Sequence, residues 1–206
     1  MVGKLLLVVV VLLVYYNYEN ICNLITLRKT CNEVDGRCYK IVNKYEDPIG
    51  ASETLAHLNL FALKLMKHLR NKYIWERHGS PYERGIVEFL LHNYNPDNII
   101  ENDPVSDVNT SYVEDKGKVF AVCLREKQTG NNNLHDQSIL QFVKLHEMAH
   151  LATREIGHGP TFWKNFKFLI NEAVYIGLHS PSNYMDSPIN YCSLNINHNP
   201  YFDPTI

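Results

Sequence analysis

The chain has no excess of charge of either sign: twenty lysines and arginines stand against twenty-two aspartates and glutamates, for a formal net charge of -2. It therefore lacks the electrostatic footprint of a nucleic-acid binder, and no nucleic-acid partner is expected. Cysteine is sparse, five in 206 residues, which excludes a disulfide-dense scaffold; the odd number leaves at least one thiol free or paired between chains. There is no internal repeat and no low-complexity tract. An apolar fraction of 45% with 20% charged residues excludes general disorder and coiled-coil rods. At this length one domain with a real core is expected and two full-sized ones are not. What the chain does have is histidine, ten in all.

There is one long apolar run, LLLVVVVLLVYY from Leu5 to Tyr16, preceded by Lys4. Extended from Met1 to Tyr18, it would span about 27 Å as a helix, near the ~30 Å hydrocarbon layer. Tyr15, Tyr16, Asn17, Tyr18 and Glu19 offer no small-residue cleavage site. The reading is an uncleaved single-pass membrane anchor over residues 1–18, with secretion after signal cleavage as the alternative. Residues 19–38 then form a tether, and residues 39–206 the folded domain. Cys31 and Cys38 lie close enough in sequence to bridge, although spacing alone cannot establish the pairing.

Tyr39 to Tyr45 alternates as a half-buried strand does. From Ser52, a candidate cap, Leu55, Leu58, Phe61, Ala62, Leu65 and Leu69 recur at helical spacing. His57 and His68 ride on this helix as solvated or packing residues. Ser80-Pro81 reads as a cap followed by proline at the first helical position, in a helix that stops before Asn95-Pro96. A short strand is expected at 98–101 and another in VFAVCL, Val119 to Leu124.

The chemistry lies in His146-Glu147-Met148-Ala149-His150. Residues four apart stack on one helix face, so both imidazoles can reach one metal ion. The glutamate between them is rotated off that line, close enough to take a proton from metal-activated water. Asp136 is positioned to cap this helix, whose apolar stripe of Ile139, Phe142 and Val143 continues through both histidines; the helix can run to Gly157. A catalytic zinc site needs a third protein ligand. His158, between Gly157 and Gly159, is the first candidate and Glu172, on the next helix, the second. Thr153 and Ile156 occupy the positions where the longer H-E-x-x-H-x-x-G-x-x-H pattern requires glycine and histidine.

The segment HEMAHLATREIGHGPTFW, preceded by KVFAVCLRE, resembles the compact zincin metallopeptidases of the SprT-like and WLM-domain kind. The short hydrophobic N terminus and the tail NYCSLNINHNPYFD also resemble uncharacterised proteins of large DNA viruses. The zincin resemblance implies an α+β fold, a small mixed sheet plus an active-site helix. It implies Zn2+ on His146, His150 and His158, with Glu147 as general base in peptide hydrolysis. In such a fold VFAVCL would border the cleft, and an exposed edge there would pair with an extended peptide substrate. Thr161 would cap the following helix, with Phe162, Phe166, Leu169 and Ile170 beneath the site. Tyr184, Tyr191 and Tyr201 are candidate oxyanion donors. The alternatives are a non-catalytic membrane or virion protein stapled by a structural metal, and a peptidase acting on protein crosslinked to DNA.

Overall fold

The computed structural model describes residues 11, 14, 15, 27–103, 110–126 and 133–206. Among these residues, from Leu27 onward, it is an α+β arrangement of a five-stranded sheet, a separate two-stranded hairpin and four α-helices. In chain order the elements are β1 (Leu27–Cys31), β2 (Cys38–Val42), α1 (Pro48–Leu69), a π-helical stretch (Arg70–Trp75) and α2 (Pro81–Asn93). They continue with β3 (Ile99–Asn102), β4 (Tyr112–Glu114), β5 (Val119–Cys123), α3 (Gln137–Leu151), α4 (Pro160–Tyr175), β6 (Ile189–Tyr191) and β7 (Leu194–Ile196). The sheet order is β1-β2-β3-β5-β4, with β2, β3 and β5 parallel and the two outer strands antiparallel.

Two features of the expected organisation change. Among the described residues no helix is long and apolar enough to cross a membrane, so the single-pass N-terminal anchor is not supported. Apart from residues 11, 14 and 15, the segment 1–18 lies outside the described residues. The second change concerns residues 27–38, read as part of a tether. They form β1 and a tight turn onto β2, closed by a Cys31–Cys38 disulfide. Asn32 holds that turn by accepting from the Val34 N–H and donating to Ser52 Oγ.

The apolar stripe of α1 is buried as expected, Leu55, Leu58, Leu65 and Leu69 being almost wholly inaccessible. Each such side chain contributes roughly 1.5–3 kcal/mol. The helix starts earlier than Ser52, because Asp47 caps it by accepting from Gly50 N–H at 2.9 Å and Pro48 pre-sets the first turn. Ser52 is instead buried and donates to the Thr30 carbonyl, fastening α1 to β1. Ser80 and Glu83 close a reciprocal capping box on α2, which ends at Asn93 as its sequence implied.

VFAVCL is correctly a strand but not an edge. β5 lies between β3 and β4, and the turn Asp115-Lys116-Gly117 folds the short β4 back onto it. The outer strand of the sheet on this side is therefore β4.

Candidate metal centre

Helix α3 runs beneath the sheet with Leu145, Met148 and Ala149 in the core, which turns the intervening His146, Glu147 and His150 towards a cleft. Asp136 stands at its N-cap position, as expected, but makes no side-chain cap bond. The helix ends at Leu151, well before Gly157, because other groups take up its last carbonyls. Asn93 donates to the Leu151 carbonyl at 2.9 Å, Asn165 to that of Ala152 at 3.1 Å, and Thr153 Oγ1 to that of Ala149 at 2.7 Å. These bonds satisfy groups that a helix end leaves orphaned. Thr153, at the position where the longer motif has glycine, is thus a buried clamp between α3 and α4.

From that clamp the chain loops outward and returns through Gly157, whose φ of +88° suits glycine. The return brings His158 over α3. Its Nε2 lies 3.0 Å from His146 Nε2 and 3.1 Å from His150 Nε2. Three donors held about 2.0–2.1 Å from one tetrahedral ion stand roughly 3.3 Å apart, so the donor set fits zinc. Gly159, rather than Thr161, occupies the cap position of α4. Helix α4 then lays an aromatic floor under the imidazoles: the Phe162 ring is 4.4 Å from His150 and 4.7 Å from His158, and Phe166 is 5.2 Å from His146. Phe162, Phe166, Leu169 and Ile170 are all buried, as expected for core.

Burial sets the electrostatics. Desolvation, reinforced by the neighbouring imidazoles, lowers His146 to about 3 and His150 to about 4, so both rings are neutral with lone pairs available to a metal. Desolvation also lowers His158. Glu147, 4% exposed, is pushed up to about 8 by burial, against the opposing charge of Lys144. Sequence reasoning missed Lys144, a lysine inside an apolar helix face whose burial pushes its amine well below the ordinary lysine range. It is fully buried and its Nζ makes no hydrogen bond among the described residues; it rests 3.4 Å from the Phe120 ring centre and 5.0 Å from that of Tyr94.

These shifts make the metal-free protein's stability depend on pH from two sides. The lowered histidines contribute stability that is present above their unfolded value near 6.5 and lost as pH falls towards 4. The raised Glu147 contributes stability that is present below about 4.5 and lost as pH rises through about 8. In chelator, the unfolding temperature is expected to peak near pH ~6.5 and to fall on both sides, by about 2 °C at pH ~8. Glu147→Gln should flatten only the alkaline limb. A scan from pH ~5 to ~8.5 in which parent and variant fall in parallel above neutrality would contradict the assignment.

Glu172, the alternative third ligand, is elsewhere. It accepts from Lys72 Nζ at 2.8 Å and Tyr73 OH at 2.8 Å, and lies 2.7 Å from His68 Nε2. Burial raises its carboxyl, but these bonds outweigh that and leave it below the usual range. Of the candidate oxyanion donors, Tyr191 lines the cleft, yet its hydroxyl is engaged with the Cys123 carbonyl and Ser111 Oγ, each at 2.6 Å. Tyr184 packs against Phe142 and Tyr201 against Phe202. A residue the sequence did not suggest, His198, also lines the cleft, with its ring 5.3 Å from Trp163 and Nε2 3.7 Å from Asp203.

The cleft encloses about 790 Å³. Its walls are the β4 edge at Thr110 to Val113, the loop 153–158 and the β6–β7 hairpin. Ile156, fully exposed, and Leu194, 53% exposed, stand on its rim.

The chain is similar to an uncharacterised protein of Acanthamoeba polyphaga mimivirus, 40% identical over 85 residues, covering 41% of this chain and 42% of that protein. It is also similar to uncharacterised proteins of Invertebrate iridescent virus 6, 32% identical over 103 residues (50% and 56% of the two chains), and Invertebrate iridescent virus 3, 33% over 97 residues (47% and 58%). These relatives belong to large DNA viruses, in line with the resemblance seen in the sequence. The match spans about half the length of each. No family model and no solved structure matches the chain.

Proposed function

We propose that this chain is a zinc-dependent metallopeptidase with a zincin-like domain of the SprT-like or WLM-domain kind. The observation that carries the reading is the convergence of three neutral imidazoles, with His158 Nε2 within 3.1 Å of both His146 Nε2 and His150 Nε2, beside a buried carboxylate at the floor of an open cleft. His146, His150 and His158 would hold the ion. When bound, zinc supplies the Lewis acidity that polarises a scissile carbonyl and makes water nucleophilic near neutral pH.

The remaining steps belong to the protein. Glu147 takes the proton from the attacking water and hands it to the leaving amine nitrogen. Burial makes its carboxylate a strong base, and a nearby dication favours the ionised form needed to accept. The outer edge of β4, on the cleft wall, offers backbone groups to an extended peptide without demanding a sequence. The openness of the His158 side, where the ring is exposed, favours a catalytic over a purely structural metal.

Metal analysis of the full chain tests this. The parent is expected to retain one zinc, lost or loosened in His158→Ala, and the zinc-loaded parent to cleave denatured casein in a chelator-sensitive manner. A parent that holds no zinc, or a variant that holds it as tightly, would sink the proposal. Zinc binding without cleavage of any unfolded protein would leave a structural metal as the better account.

A further inference from the structure

A second cluster of metal-binding groups lies away from the three histidines. Cys123 ends β5, Cys192 sits in the turn between β6 and β7, and His135 precedes α3. Their donor atoms all lie within 4.8 Å of one another. His135 Nε2 is 3.3 Å from Cys192 Sγ, and both sulfurs are 3.3 Å from the Arg125 carbonyl oxygen. Both cysteines are almost wholly buried and are joined as a disulfide. No such third donor joins the Cys31–Cys38 pair among the described residues.

The backbone points to a task for Cys192. It and Ser193 occupy the two central positions of the Tyr191–Leu194 turn with φ of +47° and +71°. Such a turn favours asparagine and glycine, and a cysteine there is strained. Among the described residues the hairpin it closes pairs only with itself, and an isolated hairpin is marginal in water. The Cys192 sulfur is therefore a main tie between this cleft wall and the sheet, together with the Tyr191 hydroxyl.

We propose that in the reduced chain Cys123, His135 and Cys192 bind a second, thiophilic divalent cation, so that a metal bridge replaces the disulfide as the hairpin's tie. Two thiolates with an imidazole suit Zn2+ and other cations that prefer sulfur. Burial keeps the His135 ring below its ordinary range, hence neutral and able to ligate. The exchange balances with a dithiol reductant. It is oxidised to its own disulfide as the Cys123–Cys192 bond breaks to two thiols, and the cation then displaces both thiol protons to solvent. The thiolate site stands apart from the peptidase reading; only the first equivalent counted below rests on the three-histidine site of that reading, and the sulfur band does not.

Cobalt titration of the full chain tests it, because a sulfur-to-cobalt charge-transfer band reports thiolate ligation and three histidines cannot produce one. The oxidised parent is expected to take up one Co2+ without the band. After phosphine reduction and removal of the reductant, a second equivalent should bind and the band appear. It should persist in a Cys31→Ser, Cys38→Ser double variant and vanish in Cys192→Ser. If Cys192→Ser does not fold, His135→Ala serves, since it keeps the disulfide when oxidised and should show a weakened band when reduced. A reduced parent without the band, or a band that survives Cys192→Ser or is unchanged in His135→Ala, would overturn the proposal.

Discussion

Replacing Glu147 by glutamine is expected to leave zinc bound and to lower peptide hydrolysis by about 10²- to 10⁴-fold, the usual contribution of a general base. The amide has the shape of the carboxylate but cannot accept the water's proton. His146 and His150 keep their places because α3 is held by its buried face, not by Glu147. Zinc content by elemental analysis and turnover of the zinc-loaded chain would be measured on the same preparation. Full activity with glutamine would remove Glu147 from the mechanism. Loss of both zinc and activity would make it a positioning residue for the site.

Arg125→Ala should cost about 3–5 kcal/mol of stability, the penalty for stranding one member of a buried ion pair. Arg125 and Glu101 are each 1% exposed and meet at 2.8 Å. The same guanidinium donates to the Asp47 carbonyl at 2.8 Å and lies over the Tyr45 ring, while Glu101 accepts from Val42 N–H at 2.8 Å. One pair thereby joins the ends of β2, β3 and β5 to the start of α1. For a chain of this size the loss corresponds to a fall of roughly 6–20 °C in unfolding temperature. The double change Arg125→Met with Glu101→Leu should recover most of it, since no lone charge is then left buried. A single variant within about 1 kcal/mol of the parent would show that water reaches Glu101.

What was legible in the sequence follows from the range of the forces involved. The α3 stripe, the Ser80 cap and the return of His158 between glycines are local, written within a few residues. Asp47-Pro48 is equally local, but Ser52 offers a competing cap residue, and only the folded chain reveals its burial against Thr30. Glu172 was a plausible ligand by residue type. It was drawn off by donors about one hundred residues earlier, at separations of 99, 100 and 104. The three-residue β4 was too short to register, and without it β5 looked like an edge. Neither the Cys123–Cys192 bond, spanning 69 residues, nor the pairing of Arg125 with Glu101 leaves a periodic trace.

The widened helical stretch Arg70–Trp75 follows α1 without a break, and it explains how His68, Lys72 and Tyr73 reach one carboxylate. In a regular α-helix adjacent residues diverge by about 100°, so Lys72 and Tyr73 would point apart. The slack turn lets them converge. Length in this stretch is therefore constrained more tightly than composition: a substitution trims a contact, whereas deleting one residue would swing everything upstream around the axis relative to everything downstream.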